Sequence, residues 1–115
     1  RPPRSTLFPY TTLFRSTTED GTLGTKGFVI HHALWRKQPF PYQRIYTCGP
    51  DPMMKAVARL ATIHNIPCEV SLEQTMACGI GACLCCVVKT NQGHVCTCTD
   101  GPVFDTRELT EWTER

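Results

Sequence analysis

Cys78-Gly79-Ile80-Gly81-Ala82-Cys83-Leu84-Cys85-Cys86 sets three thiols at C-x4-C-x2-C spacing, and two further thiols follow at Cys96 and Cys98. This is the plant-type arrangement for a 2Fe–2S cluster, which draws three sulfurs from one tight loop and a fourth from a distant segment. Gly79 and Gly81 allow the backbone to reach positive φ and bring its N–H groups close to the cluster sulfides, and Ala82 keeps that wall of the loop thin. On spacing alone, either Cys96 or Cys98 supplies the fourth ligand. Four thiolates around two irons carry single electrons. They do not hydrolyse, and they do not read nucleic acid.

Other fates for the same cysteines are weighed against this one. Eight Cys in 115 residues is a high and even count, which also suits a disulfide framework. A secreted disulfide protein opens with a long apolar signal core, and residues 1–16 contain none. The adjacent pair Cys85-Cys86 fits a reduced, ligand-bearing loop better than two separate bridges. Cys83-x2-Cys86 with Cys96-x-Cys98 would serve a four-cysteine zinc site. Such a site leaves the glycine-flanked Cys78 without a role. A Rieske centre needs a Cys-x-His pair, and the sequence has none, since His94 precedes Cys96. Cys85 reads as a small residue packed near the site, and Cys68 as a thiol pointing into a core from a strand.

The length suits one domain or two small pieces of larger ones. A net charge of +2 is too small to argue for nucleic acid or an anionic membrane as partner. Apolar runs are only a few residues long, far short of a membrane span. A cysteine-rich chain without a signal reads as cytoplasmic.

Residues 1–16, RPPRSTLFPYTTLFRS, have a different character from the rest. They contain no acidic residue, repeat Thr-Leu-Phe, and hold no helical or strand period. They resemble translated sequencing adapter, the alternative being a disordered natural terminus, and they are set aside from the functional argument. From Thr17 a Gly-rich acidic loop leads to Phe28, Val29, Ala33 and Leu34, whose spacing predicts a short helix over 27–36. Arg44 to Cys48 reads as a buried strand. Gly49-Pro50-Asp51-Pro52 turns into a helix, with Asp51 expected as N-cap and Pro52 as the first helical residue. Met53, Met54, Val57, Leu60 and Ala61 form its apolar face, and Asn65 with Pro67 ends it. Cys68 to Leu72 is the next strand, giving a β–α–β unit with parallel strands. Cys86–Thr90 and His94–Cys96 flank Asn91-Gln92-Gly93 as a hairpin. Asp100-Gly101-Pro102 is a turn, and Thr106 to Trp112 forms a short helix or an extended end.

Two of these segments, MACGIGACLCCVVKT (Met76 to Thr90) and VCTCTDGPVF (Val95 to Phe104), resemble the C-terminal cluster domain of the dihydroorotate dehydrogenase B electron transfer subunits. IYTCGPDPMMKAV (Ile45 to Val57) resembles the last nucleotide-binding strand and helix of the ferredoxin reductase superfamily. EDGTLGTKGFV (Glu19 to Val29) is similar to an earlier turn of the same NAD-binding domain. The resemblance covers about 17–115. It implies an α/β fold: the C-terminal part of a parallel-sheet nucleotide-binding domain over 17–73, then a small irregular β-rich iron–sulfur domain over 74–115. It favours Cys98, two residues before Asp100, as the fourth ligand beside Cys78, Cys83 and Cys86. It places Cys48, Gly49 and Pro50 near the nicotinamide and flavin, and Asp20 and Gly21 beside the nucleotide ribose. The bland alternatives are an ordinary strand-to-helix turn and a solvated loop.

A nicotinamide gives up a hydride, a 2Fe–2S cluster takes one electron, and a flavin must stand between them. The resemblance supplies that flavin as FAD, and an FMN-containing dihydroorotate dehydrogenase catalytic subunit as partner in a hetero-oligomer of pyrimidine synthesis. The FAD-binding barrel that opens such subunits has no counterpart here. The chain is therefore expected to be a C-terminal fragment, with FAD assigned to the full-length protein rather than to this polypeptide. Subunits of sulfhydrogenases or sulfite reductases share the build, and the Asp100-Gly-Pro-Val-Phe104 ending separates this chain from them. A zinc-stabilised binding module is the remaining alternative.

Overall fold

The structure, a computed structural model, describes residues 15–113, so the adapter-like stretch lies almost wholly outside the described residues. The chain divides into two compact units, one ending at Ala33 and one beginning at Leu34.

In the first unit β1 (Thr17–Thr18) and β2 (Thr25–Lys26) pair in parallel. The loop between them is turned by Asp20, whose Oδ1 accepts the Thr22 N–H at 3.0 Å and the Thr22 hydroxyl at 2.8 Å. Gly21 follows at φ +79°, a conformation that suits glycine. The helix expected over 27–36 is replaced by two 3-10 turns, Val29–His31 and Ala33–Arg36. His32 is extended between them (φ −63°, ψ 139°). The β-branched pair Val29-Ile30 and the preceding Gly27 weaken a continuous α-helix.

The second unit is built on a three-stranded sheet in the order β3-β4-β7. β3 (Ile45–Cys48) and β4 (Cys68–Ser71) are parallel, with Ile45 opposite Cys68 and Thr47 opposite Val70. The helix α1 (Asp51–Ile63) connects them, as the sequence predicts. Pro50 stands at the cap and Asp51 opens the helix, one residue off the expected register, with no side-chain capping bond. Met54, Val57, Ala58 and Ala61 recur at helical spacing and are buried, which holds α1 to the sheet. Its end is a Schellman closure: Asn65 is left-handed at φ 55°, its N–H donates to Thr62 O, and the Ile66 N–H donates to Ala61 O.

β7 (Val103–Asp105) returns from the far end of the chain and pairs antiparallel with β4, Val70 facing Phe104. The hairpin β5 (Val87–Thr90) and β6 (Gly93–Cys96) forms with the expected turn. Val88 and Val95 stand opposite one another and pack on a core of Met54, Val70, Leu72, Phe104 and Leu109. A one-turn helix α2 (Thr97–Asp100) follows β6, and α3 (Thr110–Thr113) ends the described chain. Trp112 of α3 takes Lys55 Nζ over its ring at 5.8 Å, tying the tail to α1. The loop between β4 and β5 and the turn after β6 therefore both spring from one packed core. These are the two segments that carry the cysteines.

Candidate metal centre

The loop from Cys78 to Cys86 folds around one sulfur. Cys78 Sγ accepts the backbone N–H groups of Ile80 at 3.4 Å, Ala82 at 3.3 Å and Cys83 at 3.4 Å. Three donors can converge because Gly79 (φ +70°) and Gly81 (φ +79°) turn the chain left-handed between Cys78 and Cys83, and Leu84 (φ 60°) turns it again beyond them. The N–H groups of Cys83 and Ile80 hold the Cys78 thiol below its ordinary range. The Cys85 N–H, followed by contacts with Cys78, brings Cys83 down to about 6. Thiolate is the form that binds metal, so this loop is set to be a donor of sulfur.

The opposite wall comes from β5 and α2. Cys86 is buried immediately before β5, and its carbonyl accepts the Thr97 N–H at 3.0 Å. The Cys98 N–H lowers the Cys86 thiol. Cys98 sits in α2 and shares a hydrogen bond with the Cys86 thiol, which raises Cys98; the Gly81 N–H works in the other direction. A β-carbon placed on Gly81 would lie 3.2 Å from Thr99 Cγ2, so the loop rests directly against the turn that carries Cys98. Asp100 fixes that turn, its Oδ2 accepting the Cys96 N–H at 3.0 Å and the Thr99 hydroxyl at 3.2 Å. Gly101 N–H closes it on Thr97 O at 3.1 Å.

Cys83 thus neighbours both Cys78 and Cys85 on one wall, and Cys86 neighbours both Cys98 and Cys96 on the other. Burial, then the Cys86 and Asp100 charges, push the Cys96 thiol up, the same direction as Cys98. Cys85 is raised by the Cys83 thiol and is exposed. All eight cysteines are free, so no disulfide framework is present. Among the described residues, no three Cys, His, Asp or Glu side chains already stand at metal-binding distances from a common point. The donor chemistry nevertheless fits an iron–sulfur group. The sulfurs are thiol or thiolate, backbone N–H groups gather on them, and the hydroxyl of Thr97, the residue before Cys98, is buried with no partner.

The other sequence-assigned residues lie elsewhere. Cys48 is exposed at the end of β3, and Gly49 (φ +146°) and Pro50 lead into α1. A β-carbon on Gly49 would meet Met53 Cε at 2.7 Å, so the turn is closed by its own helix. Asp20 and Gly21 belong to the first unit, where the Thr22 N–H and hydroxyl lower the Asp20 carboxyl. Cys68 is buried in β4; burial, then the charges of Asp105 and Glu69, push it up to about 11. Thr97 escapes sequence reasoning, because a four-residue helix has no period to detect, whereas Gly101 stands in the expected turn.

A sheet carrying a parallel β–α–β unit is followed by a loop and a turn that both carry free thiols. Residues 73–110 match the family described as the iron-sulfur cluster binding domain of dihydroorotate dehydrogenase B. It is 41% identical over 100 residues to the dihydroorotate dehydrogenase B (NAD(+)), electron transfer subunit of Clostridium acetobutylicum, covering 87% of this chain and 39% of that protein. It is 40% identical over 97 residues to the subunit of the same name from Caldanaerobacter subterraneus, covering 81% of this chain and 38% of that protein. The chain therefore spans under two fifths of the length of these relatives. Among solved structures, a chain of the NADH-dependent reduced ferredoxin-NADP oxidoreductase matches with a TM-score of 0.72 at 30% identity, over 83% of this chain and 34% of that one. Among the described residues no helix is long and apolar enough to cross a membrane.

Proposed function

We propose that this chain is the C-terminal part of an electron transfer subunit of an NAD-dependent dihydroorotate dehydrogenase, and that Cys78, Cys83, Cys86 and Cys98 hold its 2Fe–2S cluster. The observation that carries the reading is the Cys78 sulfur collecting three backbone N–H groups within a matching cluster-binding segment. When bound, such a cluster passes one electron at a time. The chain's own residues supply the cage. The loop amides balance negative charge at sulfur, and α2 carries Cys98, the fourth ligand of the proposed set. Ile80 and Leu84, 76% and 63% exposed, place apolar surface beside the ligands.

Residues 17–73 are read as the end of a parallel-sheet nucleotide-binding domain and 74–115 as the iron–sulfur domain. Cys48, Gly49 and Pro50 border the nicotinamide and flavin, and Asp20 and Gly21 the ribose, in the complete subunit. That subunit binds NAD and FAD and pairs with an FMN-containing dihydroorotate dehydrogenase catalytic subunit, as a cytoplasmic hetero-oligomer of pyrimidine synthesis. The test is anaerobic absorbance of the reconstituted chain after each reductant. Dithionite delivers single electrons and bleaches it. NADH delivers a hydride and leaves it unbleached until a flavin-bearing full-length subunit is added. Rapid bleaching by NADH without flavin overturns the proposed route.

A further inference from the structure

Thr97, next to Cys98 in the chain, packs fully buried at 0% exposed, but its Oγ1 finds no hydrogen-bond partner. Its backbone is fully used: the N–H donates to Cys86 O at 3.0 Å, and the carbonyl accepts Gly101 N–H at 3.1 Å. It lies between Cys96 and Cys98 in sequence and against Cys86 in space. A buried unpaired hydroxyl costs free energy, and valine has the same shape without that cost. Nearby thiols do not relieve it, since none stands within hydrogen-bond range of Oγ1. What the site gains when loaded is sulfur acceptors carrying negative charge.

We infer that the Thr97 hydroxyl donates to a sulfur of the loaded cluster site and raises its reduction potential. The inference rests on the cluster reading above and adds a tuning residue to it. A donor to sulfur stabilises the reduced, more negative state more than the oxidised one, which is how protein hydrogen bonds set iron–sulfur potentials. In the chain without metal, the same hydroxyl is only a cost. Removing it therefore has opposite effects in the two states, which a purely structural role does not produce.

The experiment compares the reconstituted wild type, Thr97→Val and Thr97→Ser by anaerobic redox titration, together with thermal melts of the metal-free proteins. Thr97→Val is expected to shift the equilibrium for one-electron reduction about tenfold toward the oxidised form, about 59 mV lower in potential. Its metal-free form is expected to melt no lower than wild type. Thr97→Ser, which keeps the hydroxyl, is expected to retain the wild-type potential. Thr97→Ala provides the hydroxyl-free measurement if Thr97→Val takes up no iron. A hydroxyl-free variant at the wild-type potential overturns the inference, and so does a serine variant shifted as far as valine. A wild-type chain that takes up no iron and sulfide overturns the cluster reading itself, and this inference with it.

Discussion

Gly101→Ala tests whether the turn carrying Cys98 is locked to the core. A β-carbon at Gly101 would stand 2.5 Å from Phe104 Cε2, 2.8 Å from Phe104 Cζ and 3.0 Å from Thr97 O. The backbone there is at negative φ, so the cost is steric rather than conformational. Neither neighbour can move away freely. Phe104 is buried in β7 among Met54, Val70, Leu72 and Leu109, and Thr97 O is held by the Gly101 N–H. Overpacking of this kind costs about 1–3 kcal/mol. For a unit of this size each kcal/mol lowers the melting temperature by roughly 4–8 °C, so the metal-free protein should melt roughly 4 to 24 °C lower. Chemical denaturation followed by circular dichroism measures the free energy directly. Phe104→Leu removes the atoms that clash. In the double variant the loss should therefore be smaller than the sum of the two single losses, by about 0.5–3 kcal/mol. A Gly101→Ala protein within about 0.5 kcal/mol of wild type, the range of an inert surface change, refutes the reasoning.

Cys98→Ser is expected to lose or destabilise the cluster, while Cys96→Ser keeps it, because a missing ligand leaves an iron underligated and a neighbour contributes only packing. Iron content and visible absorption of the two variants decide this, and equal loss in both removes the distinction. Cys68 is expected to resist alkylation in the native protein and to react on unfolding, since its thiol is pushed up from 9.0 to about 11. The folded state holds that proton more tightly than the unfolded one, so the stability it contributes is complete below pH 9 and is lost as pH rises toward about 11. Denaturation midpoints of wild type and Cys68→Ala across that range should converge with rising pH; parallel curves contradict the assignment.

The parts of the fold that carry a period or a punctuation residue were legible from sequence. Pro52 at the helix start, Asn65 before Pro67 at its end, and the apolar spacing between them mark α1. Asn91-Gln92-Gly93 marks the hairpin. β7 carries no such mark. Its three residues have no alternation to detect, and their place beside β4 depends on pairing across more than thirty residues of chain. The two 3-10 turns at Val29–His31 and Ala33–Arg36 share apolar spacing with a helix, which the extended His32 interrupts. At the candidate site, cysteine spacing and the Gly79 and Gly81 turns were readable. The two glycines also announce amides turned inward, but not that three of them converge on the Cys78 thiol, because the choice of acceptor depends on the folded loop. The orphaned Thr97 hydroxyl was equally hidden, since burial of a single threonine depends on the tertiary packing around α2.

The central claim is that four cysteines of this chain hold one 2Fe–2S cluster. Its most direct measurement is metal and acid-labile sulfide per chain after anaerobic purification or reconstitution, with the visible spectrum taken on the same sample. The account predicts about two iron and about two sulfide per chain in a brown protein that dithionite bleaches. A colourless protein holding about one zinc and no sulfide would contradict it.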